Sequence, residues 1–170
     1  MTETEQTHIF ESWLAQYKAL LFKIVKAYAF TPMDQDDLFQ EISFQVWRSI
    51  PAFRQESAVT TWLYRISLNT AINWTRKERK HNDYKESLDS VQLILQENKL
   101  QTDEQLAWLY KEISQLDEID RSITLLLLDG FSYKEMATIM GITVSNIGVK
   151  INRIKKHLIT ASKKSEQYGV

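Results

Sequence analysis

Apolar residues recur along most of this chain at steps of three and four with polar residues between them, a spacing that predicts helices and leaves no strand pattern. Over residues 9–29, Trp13, Tyr17, Leu20, Leu21, Ile24, Val25 and Tyr28 form one wide apolar stripe, as in an amphipathic helix lying on a core. Thr31-Pro32 then reads as an N-cap followed by proline at the first helical position, with Asp34 suited to the positive helix end. The helix that starts there, ending near residue 50, turns Leu38, Ile42, Val46 and Ile50 to one side and Asp37, Gln40, Glu41, Phe44 and Arg48 to the other. Pro51 stops it.

A short connection, residues 52–58, leads to a long third helix over residues 59–80, in which Leu63, Ile66 and Thr70 are expected to face the core. Its other face carries Trp62, Arg65, Asn69, Asn73, Arg76 and Lys80 at steps of three or four, so aromatic, amide and guanidinium groups share one surface. Residues 81–104 turn polar and acidic and read as a flexible linker with at most one helical turn. Helical spacing resumes at Gln105 with Leu106, Leu109, Tyr110, Ile113 and Leu116, continues through residues 119–128, and meets Gly130 as a helix C-terminal residue.

The most specific local pattern follows. Ser132-Tyr133-Lys134-Glu135 fits a capping box, in which a serine hydroxyl and a glutamate carboxylate exchange hydrogen bonds with each other's backbone amides. Met136, Ala137, Ile139 and Met140 make a short helix, Gly141-Ile142-Thr143 a turn with Thr143 as the next cap, and residues 144–162 a second helix. From Lys150 to Lys164 that helix bears six basic side chains and no acidic one. A short helix, a glycine turn and a basic helix together describe a helix-turn-helix.

Composition sharpens this picture. The 170 residues, 44% hydrophobic, suffice for two small domains, and the absence of cysteine excludes disulfides, thiolate metal sites and a thiol nucleophile. The three histidines, His8, His81 and His157, lie too far apart in sequence to suggest a ligand set. An acidic N-terminus and the lack of a long apolar run point to a cytoplasmic protein. The net charge of −1 conceals a pattern: residues 1–60 and 81–120 are acidic, whereas residues 61–80 and 121–170 are basic. Two separate contacts with a polyanion are the natural reading.

A solvated lysine face would explain the last basic block by itself, but not its place behind a capping box and a glycine turn. In the major groove, short and polar side chains at the start of the second helix would meet base edges. Ser145, Asn146, Val149, Lys150, Asn152 and Arg153 are the positions concerned, Gly148 lies among them, and Lys155, Lys156, Lys163 and Lys164 would serve phosphates further along. Trp62 and Trp74 could be plain core residues, yet Arg65, Asn69, Asn73, Arg76 and Lys77 beside Trp62 suit a distorted or unpaired strand. Asp36, Asp37 and Glu41 lack a further ligand at a useful spacing, so a protein-binding face is favoured over a metal site. No hydrolase or phosphate-loop pattern occurs, and neither an enzyme nor a cofactor is expected.

With Asp37-Leu-Phe-Gln-Glu41, Phe53-Arg54, Thr61-Trp-Leu-Tyr-Arg-Ile66 and Asn69 followed by residues 119–158, the chain resembles bacterial RNA polymerase sigma factors of the extracytoplasmic-function (ECF) group, which retain regions two and four. The resemblance implies an all-α protein of two small helical domains: region two at residues 1–80, a linker at 81–104, region four at 105–164 and a tail at 165–170. It implies that Asp37, Gln40, Glu41 and Phe44 dock on the clamp helices of the largest polymerase subunit, and that region four meets the flap. Phe53, Arg54, Ser57, Thr60, Trp62, Arg65, Asn69, Asn73, Arg76 and Lys77 would take the minus-ten element with a flipped base, opened by binding energy without nucleotide hydrolysis.

The helix-turn-helix would read the minus-thirty-five element, although Ser145-Asn146-Ile147-Gly148 departs from the Gly-Thr-Val-Lys or Gly-Thr-Val-Arg of many relatives and puts glycine where a basic side chain is usual. Core polymerase, promoter DNA and an anti-sigma factor, most simply a membrane-anchored one, are the implied partners, with no small-molecule substrate. A helix-turn-helix regulator that never joins polymerase, or a helical adaptor that binds only proteins, are the rival readings.

Overall fold

The computed structural model describes residues 1–82 and 104–167; the proposed linker falls almost wholly outside them. Two compact units result, Met1–Thr102 and Asp103–Val170. The described residues hold helices and turns, with no strand.

In the first unit, α1 (Glu3–Tyr28), α2 (Pro32–Ser49) and α3 (Val59–Asn82) pack pairwise, with a single 3-10 turn, Ile50–Ala52, after α2. Helix α1 starts six residues ahead of its apolar stripe because Thr2 and Glu5 make a capping box: Thr2 N donates to Glu5 Oε2 at 2.7 Å and Glu5 N to Thr2 Oγ1 at 3.3 Å. Thr31 caps α2 as the sequence predicts, its Oγ1 accepting from Asp34 N at 3.0 Å with Pro32 at the first helical position. The Gln6 side-chain amide donates to Trp47 O at 2.7 Å, so the first turns of α1 satisfy a carbonyl near the end of α2.

The core of this unit is built from Leu21, Ile24, Val25 and Tyr28 of α1, Leu38, Ile42 and Val46 of α2, and Leu63, Tyr64, Leu68 and Ala71 of α3. Burying one such aliphatic side chain contributes about 1.5–3 kcal/mol. The face of α3 expected to point inward is rotated slightly. Leu63 and Thr70 are buried, but Ile66 is only half-buried and Ser67 takes the inner position. The reason is packing on two sides: with α1 and α2 both against it, α3 buries a wider arc than one stripe.

The second unit holds α4 (Glu104–Gln115), α5 (Glu118–Leu128), α6 (Tyr133–Met140) and α7 (Val144–Gln167). Helix α5 is its centre. Arg121 through Leu126 are all buried, and α4, α6 and α7 each pack on α5. A buried arginine is tolerated because its Nη2 donates to Ser114 O and Leu116 O, both at 2.9 Å, which serves carbonyls at the end of α4. Gly130 has φ +80°, and Phe131 N donates to Leu126 O at 3.1 Å, ending α5 in a left-handed turn.

Candidate polymerase and promoter interfaces

Helix α2 presents Asp36, Asp37, Gln40 and Phe44 to solvent, with Glu41 half-buried beside them. Two contacts orient the acids. Trp74 Nε1 of α3 donates to Asp37 Oδ2 at 2.7 Å, and Gln45 Nε2 donates to Glu41 Oε1 at 3.0 Å. Phe44 stands 53% exposed in the midst of this polar face. The side chains expected to bind protein therefore do share a surface. The role of Trp74, which is 37 positions from Asp37, had no signal in the helical spacing.

Along α3, Arg65, Asn69, Asn73, Arg76, Lys77 and Lys80 are exposed on the side away from the core, and Trp62 is half-buried at the start of the strip. Trp62 belongs to an aromatic cluster. Its ring lies 5.5 Å from that of Trp13 and 5.1 Å from that of Phe53, while Trp13 and Phe53 meet edge to face at 5.2 Å. The cluster pins the connection between α2 and α3 to both α1 and α3.

Within that connection Phe53 is packed, Arg54 and Ser57 are exposed, and Thr60 is half-buried in the first turn of α3. Gln55 has φ 58°, in the left-handed region that a non-glycine residue seldom takes, and it turns the chain around the mouth of a cleft. The cleft, about 490 Å³, is lined by Ile9, Trp13, Ile50, Phe53, Gln55 and Ser57, among others. Of these, Ile9, Trp13, Ile50 and Gln55 lie outside the set expected from sequence; Trp13 and Ile50 were assigned to apolar helix faces.

In the second unit the capping box of α6 forms as its sequence predicts. Ser132 N donates to Glu135 Oε2 at 2.7 Å and Glu135 N to Ser132 Oγ at 3.2 Å. These bonds, the Ser132 backbone amide first, hold the Glu135 carboxyl below its ordinary value of 4.5. Gly141 takes φ +68° at the turn, and Thr143 Oγ1 accepts from Asn146 N at 3.1 Å to start α7.

Helix α7 buries Ile147, Ile151 and Ile154, so Ser145, Val149, Asn152 and Lys156, at steps of four, three and four, form the opposite and exposed strip. Gly148 sits at the edge of the strip, and a Cβ there would meet Tyr133 Cε2 at 3.8 Å.

Lys150 and Arg153 are drawn elsewhere. Lys150 Nζ lies 3.2 Å from Asp120 Oδ1, its side chain 19% exposed, and the Arg153 guanidinium bonds to Asp120 Oδ2 and lies 3.9 Å from Asp117 Oδ2. Asp120, whose side chain is 6% exposed, is in the first turn of α5, and its hydrogen bond holds the Arg153 guanidinium above its ordinary value. The sequence assigns eight positions of α7, Ser145, Asn146, Gly148, Val149, Lys150, Asn152, Arg153 and Lys156, to DNA. The structure brings five outward and joins two to α5, leaving Gly148 without a side chain.

Among the described residues no group of three or more His, Cys, Asp or Glu side chains is placed to hold a metal ion, and no helix is long and apolar enough to cross a membrane.

Residues 13–81 match the family described as Sigma-70 region 2, and residues 106–158 that described as Sigma-70, region 4. The chain is 30% identical over 136 residues to the ECF RNA polymerase sigma-E factor of Escherichia coli K12, covering 72% of this chain and 71% of that protein. It is 31% identical over 135 residues to the sigma-E factor of Haemophilus influenzae, with the same coverage. The fold is similar to that of the sigma factor RpoE from Bartonella quintana, solved in complex with the anti-sigma factor NepR. There the TM-score is 0.68 at 19% identity, over 91% of this chain and 96% of that one. CnrH, solved with the cytosolic domain of CnrY, gives 0.66 at 19% identity over 93% and 90%.

Proposed function

Because the chain belongs to the ECF group of RNA polymerase sigma factors, which join core polymerase and direct it to promoters, we propose that its two units divide promoter reading between them. The α2 face of Asp37, Gln40, Glu41 and Phe44 docks on the clamp helices of the largest polymerase subunit. Phe44 supplies the apolar contact, and the acids supply charge in positions fixed by Trp74 and Gln45. The strip of Trp62, Arg65, Asn69, Asn73, Arg76 and Lys77, with Phe53, Arg54, Ser57 and Thr60 at its head, takes the minus-ten element. Cations and amides follow the strand, and the cleft beside Phe53 receives an unstacked base.

The outward strip of α7 enters the major groove of the minus-thirty-five element, with Asn146 at its start. Lys155 and Lys156 serve phosphates, and the remainder of the unit meets the polymerase flap. The single observation that carries this division is the match of the two units, in order, to region 2 and region 4. The protein works without a cofactor in the cytoplasm. Since a structural neighbour was solved with an anti-sigma factor, an anti-sigma factor, membrane-anchored in the simplest arrangement, holds it in check.

Reconstituted transcription tests the reading. Core polymerase plus this chain should start transcripts at defined sites, and Asp37→Lys with Glu41→Lys should lower core affinity at least tenfold, roughly 1.4 kcal/mol, while leaving both units folded. Sequence-specific binding of duplex DNA by the chain alone, with no effect on core polymerase, would favour a free-standing regulator instead.

A further inference from the structure

We infer that α7 selects A·T pairs in its element, through Val149 and the amides of Asn152 and Asn146, because Asp120 withholds the basic side chains that would read guanine. The inference rests on the reading of α7 as the major-groove helix.

In the major groove the commonest contact to guanine is a bidentate one from arginine or lysine to O6 and N7. Among residues 144–153, the half of α7 that would enter the groove, the only cations are Lys150 and Arg153. Both are bonded to Asp120, one to each carboxylate oxygen. Lys150 lies on the flank of the helix with its side chain 19% exposed, short of the outward strip. Arg153 is 60% exposed, but its guanidinium bonds a carboxylate whose side chain is only 6% exposed, and to reach a base it must give up that charge-assisted hydrogen bond. Gly148, one helical step from Ser145 and Asn152, has no side chain with which to reach a base.

What remains facing outward is Ser145, Val149 and Asn152, with Asn146 also exposed. Asparagine pairs bidentately with adenine N6 and N7, and the thymine C5-methyl is the apolar group that a base pair shows in this groove. Val149, 67% exposed at the middle of the strip, is the side chain that would cover such a methyl.

The test uses holoenzyme reconstituted from core polymerase and the full chain, on a promoter library randomised through the upstream element, with transcripts sequenced. A or T should be enriched at the positions under the start of α7. Replacing a selected thymine by uracil, which deletes only the methyl, should lower output about fourfold, the factor for one buried methyl group, in the wild type and not in Val149→Ser. Asp120→Asn should release Arg153 and Lys150 and raise the use of guanine-bearing elements about fivefold, the low end for one bidentate contact.

Guanine enriched by the wild type and lost with Arg153→Ala would overturn the inference. So would equal methyl sensitivity in wild type and Val149→Ser, a change at a largely exposed position that leaves folding intact. Transcription indifferent to the entire upstream element would instead overturn the parent reading of α7.

Discussion

The two units hold their proposed DNA-facing surfaces in different ways. In the first, an aromatic cluster of Trp13, Phe53 and Trp62 fastens the loop after α2, with ring centroids 5.1–5.5 Å apart. In the second, a carboxylate, Asp120, ties α7 to α5 through Lys150 and Arg153. Apolar packing is insensitive to ionic strength, whereas partly exposed ion pairs weaken as salt rises. The surface around Phe53 and Trp62 should therefore keep its shape across conditions, and the orientation of α7 should respond to them.

The largest expected effect is Trp62→Ala. Removing the ring from the cluster should destabilise the first unit by about 2 kcal/mol, below the usual core range because Trp62 is half-buried. Thermal unfolding would show it, and the loss should be the same in low and high salt; strong salt dependence would break the contrast. Next is Asp120→Ala, expected to cost the second unit about 1–2 kcal/mol at low salt and less at high salt, since Arg153 is largely exposed and can be solvated. A loss independent of salt would make Asp120 a packing residue.

The smallest is Ser132→Ala, which removes half of a capping box and should cost about 1 kcal/mol. Here pH sharpens the comparison. The Glu135 carboxyl is depressed in the folded state, so its stabilisation is complete above its ordinary value of 4.5 and is lost as pH falls through the depressed one. A carboxyl titration by NMR should find Glu135 below its ordinary value in wild type and moved back toward that value in Ser132→Ala.

The sequence made legible what depends on neighbours three or four positions apart. Thr31-Pro32, the Ser132–Glu135 box, the Gly141 turn and the Thr143 cap formed as read, because each is a local hydrogen-bonding rule. Thr2 and Glu5 obey the same rule, and the start of α1 was missed only because its apolar stripe begins later. The contacts that shape the sites are of another kind. Trp74 to Asp37 spans 37 positions, and Lys150 and Arg153 reach Asp120 across 30 and 33. Helical periodicity says which side chains leave a helix together, but not what an adjoining helix puts opposite them.

Gly148 carries an evolutionary consequence. Its backbone is ordinary helix, and the nearest atom to an added Cβ is Tyr133 Cε2 at 3.8 Å, so a side chain fits without strain. Replacing a helical glycine by alanine generally adds up to about 1 kcal/mol. A duplicated copy of this chain could thus gain a side chain at the edge of the outward strip of α7, the strip proposed to read DNA, in one step while becoming more stable. Diverging paralogues could acquire new promoter sets from this position without passing through a weakened intermediate.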